Sequence, residues 1–213
     1  MTRTRILLAD DHTMICAGFQ KLLEPHYEVV GSVADGHALL KAAGELKPDV
    51  VLLDIAMPLL NGLDAARALK KMMPHLKLIF LTMNTDSDVA SEAFRAGASA
   101  YLLKNSQPSE LLQAVHSVIR GISYVTPQVS EAMEATFLRD PRALNRPKQL
   151  SQRQREVLQM LAEGRSLGEI ASVLQITHRT ARFHKARIME ELEITSTSEL
   201  VKYAIKNGII SAG

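Results

Sequence analysis

Five polar side chains stand where short apolar runs end. Asp10 and Asp11 follow the run 6–9, Asp54 follows 50–53, Thr82 follows 78–81 and Lys104 follows 100–103. If the runs are neighbouring parallel strands, all five project into the crevice beyond the carboxyl ends, where ligands bind in open α/β sheets. Three carboxylates that close repel one another and do not all ionise unaided. A hard divalent cation with oxygen ligands relieves them, and a site with several water positions suits Mg²⁺. A carboxylate beside such a cation can attack a phosphoryl group and form an acyl phosphate. The cation and Lys104 would stabilise the transferring oxygens, and Thr82 would hydrogen-bond the attached phosphoryl. Asp54 is the natural acceptor, because it stands alone at the end of a strand apolar on both faces. Asp10 and Asp11 are the natural metal ligands. Any one of these Asp residues is as readily a turn former or helix cap. The five together, each at a strand end, point to a site.

The elements that must position them alternate. Strands are expected at 6–9, 28–33, 50–53, 78–81 and 100–103, with helices at 13–23, 37–46, 63–73, 87–96 and 108–120. Pro25, Pro48, Pro74, Gly97 and Gly121 punctuate them. Five strands alternating with five helices predict an α/β domain, a five-stranded parallel (βα)5 sheet covered on both faces, in the flavodoxin-like order 2-1-3-4-5. That order makes strands 1 and 3 neighbours, which gathers Asp10, Asp11 and Asp54. The domain spans 1–121. Residues 122–147, with Pro127, Pro141 and Pro147, read as a linker holding a short amphipathic helix before Leu138.

From Leu150 the strand signals stop, and 148–213 reads as an all-α domain of four helices, at about 151–163, 166–174, 177–193 and 196–207. Ser166 with Glu169 forms a capping-box pattern. Only Gln175-Ile176 separates the second helix from the third, the spacing of a helix-turn-helix whose second helix enters the major groove. On a helical wheel Ala181, His184, Ile188 and Leu192 share the inner face. Arg179, Arg182, Phe183, Ala186 and Glu190 face outward with Arg187 at their edge, and Lys185 sits at the core boundary within reach of a phosphate. The bland reading is a solvated charged face. His184 has no partner at metal-ligand spacing.

Charge supports the division. Residues 1–120 carry a net −1, and 148–213 a net +3, which makes a polyanion a candidate partner for the second domain. One Cys excludes an internal disulfide and fits a reducing, cytoplasmic setting. No run of about 18 apolar residues is present, so no membrane span is expected. No glycine-rich phosphate loop follows strand 1, which argues against a dinucleotide enzyme. Ala56 stands where a phosphohydrolase would want its general acid, so the chain is not expected to be an enzyme.

These residues carry a resemblance. The segments 8–12 (LADDH), 53–58 (LDIAMP) with Asn61-Gly62, Leu81-Thr82 and 101–104 (YLLK) resemble the receiver domain of two-component response regulators over about 4–121. The resemblance implies phosphorylation of Asp54 by a partner histidine kinase. It implies Mg²⁺ on Asp11, Asp54, Asp10 through water and the Ala56 carbonyl, and a switch pair of Thr82 and Tyr101. Asn105 stands where many receivers have proline. Over about 148–210, the segment 150–153 (LSQR), Glu156, Gly164, Glu169-Ile170-Ala171, Thr180, His184 and Ile188 resemble the LuxR-type helix-turn-helix domain, here with Gly168, Ala181, Ala186 and Glu191 at departures from its usual pattern. Together the two look like the NarL/FixJ branch, a transcription factor that binds operator DNA through Arg179, Arg182, Phe183, Lys185, Ala186 and Arg187. The helix 196–207, with Thr197, Leu200, Val201 and Ala204 on one side, matches that family's dimerisation helix and implies a homodimer when phosphorylated or DNA-bound; the plainer reading is that these residues pack internally. Two rival readings are a DNA-binding protein whose receiver is never phosphorylated and only dimerises, and a small-molecule phosphotransfer enzyme. The first predicts no effect of Asp54→Asn on DNA binding, and the second predicts turnover without DNA affinity.

Overall fold

The computed structural model describes residues 3–139 and 150–210. The chain divides into two compact units, 1–145 and 146–213.

In the first unit, β1 (Arg5–Ala9), β2 (Glu28–Val33), β3 (Val50–Asp54), β4 (Lys77–Thr82), β5 (Ala100–Leu103) and β6 (Tyr124–Val125) form one parallel sheet in the order β2-β1-β3-β4-β5-β6. The order of the first five is as expected, but the sheet has six strands rather than five. A two-residue strand has no periodicity to read, and β6 forms because Tyr101 and β5 offer it an edge. The helices are α1 (Thr13–Leu23), α2 (Gly36–Leu46), α3 (Gly62–Met72), α4 (Ser87–Arg95), α5 (Pro108–Ile119) and α6 (Pro127–Arg139). Alternate strand residues serve opposite faces. Leu7, Val51, Leu53, Leu78, Phe80 and Tyr101 pack with residues of α2, α3 and α4. Ile6, Leu8, Val50, Leu52, Ile79 and Leu81 pack with residues of α1 and α5. Strand β3 is buried throughout, as a central parallel strand is.

Two local features brace the loop after β3. Leu59 takes φ 67°, and Leu60 N–H donates to the Pro58 carbonyl at 2.8 Å, a tight turn that strains a leucine. Gly62 opens α3 where a Cβ would stand 2.0 Å from the Asp54 carbonyl oxygen. Its N–H donates to Ile55 O at 2.7 Å. No cis peptide is present among the described residues, so Lys104 and Asn105 join in trans.

Residues 122–139, read from the sequence as linker, carry β6 and α6. Helix α6 packs on α4, and Val129 is fully buried in the core on that face. Residues 140–147 of the expected linker lie outside the described residues.

The second unit is a bundle of α7 (Gln152–Ala162), α8 (Leu167–Val173), α9 (His178–Glu191) and α10 (Thr197–Lys206). Capping boxes at Ser151, Ser166 and Ser196 start three of them, and the Thr177 hydroxyl accepts from Thr180 N–H to start α9. Leu158, Ile170, Ala181, Ile188, Leu200 and Ala204 fill its core. Leu200 and Ala204 turn inward as α10 packs on α7, the internal packing that is the plainer of the two readings of that helix face. A four-helix unit this small needs them to close its own core.

Candidate functional site

The sheet order places the ends of β1, β3, β4 and β5 side by side. Asp54, the last residue of β3, is 4% exposed. Lys104 Nζ donates to Asp54 Oδ2 at 2.8 Å and lies 2.7 Å from Asp10 Oδ2. All three side chains are only 5% exposed, so one ammonium faces two desolvated carboxylates and balances one of their two charges. Asp11 sits at the open rim. His12 Nδ1 lies 3.0 Å from Asp10 Oδ1 and 2.9 Å from Asp11 Oδ1. Ligand atoms of Asp10, Asp11, His12 and Asp54 all lie within 4.8 Å of one another. Three carboxylates around one point are a hard oxygen donor set, which fits a divalent cation. Neither Asp10 nor Asp11 caps α1. The N-cap position is His12, without a side-chain cap bond, and Asp10 Oδ1 accepts the His12 N–H at 2.9 Å.

Electrostatics follow from that packing. Burial pushes the Asp54 carboxyl up, opposed by the Lys104 ammonium and the Ala56 N–H and aided by the Asp10 charge. Burial pulls Lys104 down, but Asp54 and Asp10 outweigh it and its pKa rises. Asp54 and its counter-ion Lys104 thus depend on each other for their charge.

Thr82 ends β4 and is buried. Its Oγ1 accepts from Asn84 N–H at 3.1 Å. The Tyr101 hydroxyl donates to the Asn84 carbonyl at 2.8 Å from a fully buried ring. Burial pushes that phenol far above its ordinary range. Both expected switch residues therefore grip the two ends of one residue in the β4–α4 loop. Sequence reasoning missed Asn84 and assigned no role to His12. His12 had a signal, its place directly after two aspartates; Asn84 had none. Cys16 is buried, with Sγ 3.5 Å from Asp10 O.

In the second unit, Arg179, Arg182, Phe183, Ala186 and Arg187 are exposed on α9, and Lys185 is half-buried at the boundary. Phe183 is 61% exposed, with its ring edge-on to His184. Ala181 and Ile188 are buried beneath, with His184 and Leu192 half-buried. Arg187 pairs with Glu190 at 2.9 Å. Among the described residues Arg179, Arg182 and Lys185 form no ion pair, which leaves them free for a polyanion.

Against known proteins, residues 6–116 match the response regulator receiver domain and residues 148–204 match the luxR family of bacterial regulatory proteins. The chain belongs to the response regulators. The oxygen regulatory protein NreC of Staphylococcus carnosus is 34% identical over 97% of this chain and 99% of its own. The response regulator GacA of Pseudomonas aeruginosa is 31% identical over 98% of each. A structure of RcsB from Salmonella enterica serovar Typhimurium, bound to a promoter with a beryllium-fluoride phosphomimetic, matches 95% of this chain and 98% of that one at 28% identity and a TM-score of 0.62. This response regulator therefore joins a receiver domain to a LuxR-type DNA-binding domain and is a regulator of transcription. No helix among the described residues is long and apolar enough to cross a membrane.

Proposed function

We propose that this response regulator is switched by phosphorylation of Asp54, donated by a sensor histidine kinase. The observation that carries the reading is the clasp of Asp54 and Asp10 by Lys104, with Asp11 completing an oxygen-rich cluster. Asp54 attacks the donor's phosphorus, and the P–N bond breaks with its electron pair leaving on the donor imidazole. Lys104 follows the developing charge from Asp54 to the phosphoryl oxygens. Asp11, Asp54, the Ala56 carbonyl and, through water, Asp10 would hold Mg²⁺, which supplies charge neutralisation in the transferring group. Thr82 Oγ1 turns from Asn84 to the phosphoryl. Released from Thr82, the β4–α4 loop shifts between pre-existing states.

The test is intact mass after incubation with Mg²⁺ and acetyl phosphate, wild type beside Asp54→Asn. The wild type should gain one phosphoryl group, lose that gain on chelation, and the variant should gain none. A gain in the variant, or none in a wild type whose donor works on a control receiver, refutes the reading.

In the second unit, α9 is the recognition helix, reading duplex DNA through Arg179, Arg182, Phe183, Lys185, Ala186 and Arg187, as a homodimer on two half-sites about one helical turn apart. Arg182 is exposed and unpaired in the N-terminal half of α9, where such helices meet base edges. Arg182→Ala should weaken operator binding by about 1–3 kcal/mol and make the salt dependence shallower. Unchanged affinity in a titration at two salt concentrations would remove Arg182 from the interface.

A further inference from the structure

We propose that Thr126 and Val129, beyond the fifth helix of the receiver fold, are positioning residues for phosphorylation of Asp54. Through them β6 and α6 hold Tyr101 in its buried place and fix the segment that carries Lys104. The inference rests on Asp54 being the acceptor.

Thr126 is 6% exposed. Its N–H donates to the Tyr101 carbonyl at 3.0 Å, and its Oγ1 accepts from Leu103 N–H at 3.3 Å. The same hydroxyl lies 3.5 Å from Ser106 Oγ. One threonine thus grips the chain at 101, 103 and 106, on both sides of Lys104. Tyr101 pairs in register with Val125 of β6. Val129 of α6 is fully buried in the cluster that also holds Tyr101 and Val89, Ala90 and Ala93 of α4, and Met133 packs against it. With α6 in place, Tyr101 is enclosed and its hydroxyl is aimed at Asn84.

Asn84 is held twice, by Thr82 and by Tyr101. In the proposed switch, Thr82 turns from the Asn84 N–H to a phosphoryl on Asp54. The β4–α4 loop then depends on Tyr101, and Tyr101 depends on β6 and α6. Docking of α6 and phosphorylation of Asp54 therefore both rely on Tyr101 in its buried place, and the strengthening of one by the other is mutual.

The experiment uses the full chain. Thr126→Val keeps the shape and deletes the acceptor; Thr126→Ser restores the hydroxyl; Val129→Ala loosens α6 independently. Acetyl phosphate with Mg²⁺ is the donor, and phosphoryl gain is followed by intact mass. Thr126→Val should lower the extent of phosphorylation about fivefold, the worth of one neutral hydrogen bond, with the Ser variant near wild type. Val129→Ala should move in the same direction, and it carries the test if Thr126→Val does not fold. In the wild type, beryllium trifluoride with Mg²⁺ should slow amide exchange in α6. A folded Thr126→Val with wild-type phosphorylation, or α6 exchange unmoved while the loops around Asp54 become protected, overturns the inference alone. No protection around Asp54 overturns the phosphoacceptor reading and this inference with it.

Discussion

Gly62→Ala should unfold the receiver unit or cost it more than about 3 kcal/mol, the range of severe backbone clashes. The added Cβ would meet the Asp54 carbonyl oxygen at 2.0 Å, its carbonyl carbon at 2.9 Å and Ile55 Cα at 3.0 Å. All three are backbone, so no side chain can swing aside. The glycine cannot retreat either, because its N–H is bonded to Ile55 O and Asn61 caps the helix it opens. The close approach lets α3 begin directly beneath the end of β3, where Asp54 must be held. Urea unfolding of wild type and variant measures the loss. A variant within about 1 kcal/mol of wild type would show that the β3–α3 turn relaxes freely.

Lys104→Met should lower stability at neutral pH by about 3–5 kcal/mol, the cost of stranding buried charge by removing its partner. The methionine fills the volume, so the loss reports charge rather than a cavity. Asp54 and Asp10 would then face each other in a nearly dry site with nothing between them. The pH dependence has a definite sign. Burial raises the folded pKa of Asp54 above its unfolded value. A carboxyl raised in that way stabilises the fold when protonated, and that stability is lost as pH rises through the folded pKa. Removing Lys104 drives the folded value further up. The deficit should therefore be largest at pH 7 and above, and shrink as the solution is acidified. Mg²⁺ should recover part of it, because a cation among Asp10, Asp11 and Asp54 replaces the missing ammonium. Denaturation of both proteins at pH 5 and 7.5, with and without Mg²⁺, tests this. A deficit that is the same at both pH values and blind to Mg²⁺ would assign Lys104 a packing role.

Much of this was legible in the chain alone. Strands β1 to β5 announce themselves as apolar runs ended by polar residues, and prolines and glycines mark the helix ends. Strand-end position alone nominated Asp10, Asp11, Asp54, Thr82 and Lys104, because parallel topology brings strand ends together whatever the details of packing. The 3.6-residue period separated Ala181 and Ile188 from the exposed Arg179 and Arg182. Local pattern sufficed wherever the signal lies within one element.

It failed wherever a contact joins distant elements. Strand β6 has two residues and exists because β5 presents an unpaired edge to it. Helix α6 has an amphipathic pattern, but nothing in residues 127–139 says that it covers α4 rather than linking two domains. Leu200 and Ala204 share a helix face in the sequence, and only their packing on α7 turns that face inward. The grip on Asn84 needs Thr82 and Tyr101, which lie 19 residues apart on neighbouring strands. Periodicity identifies which side of an element is apolar, whereas the partner that side meets is set by competition among all the apolar surfaces of the folded chain.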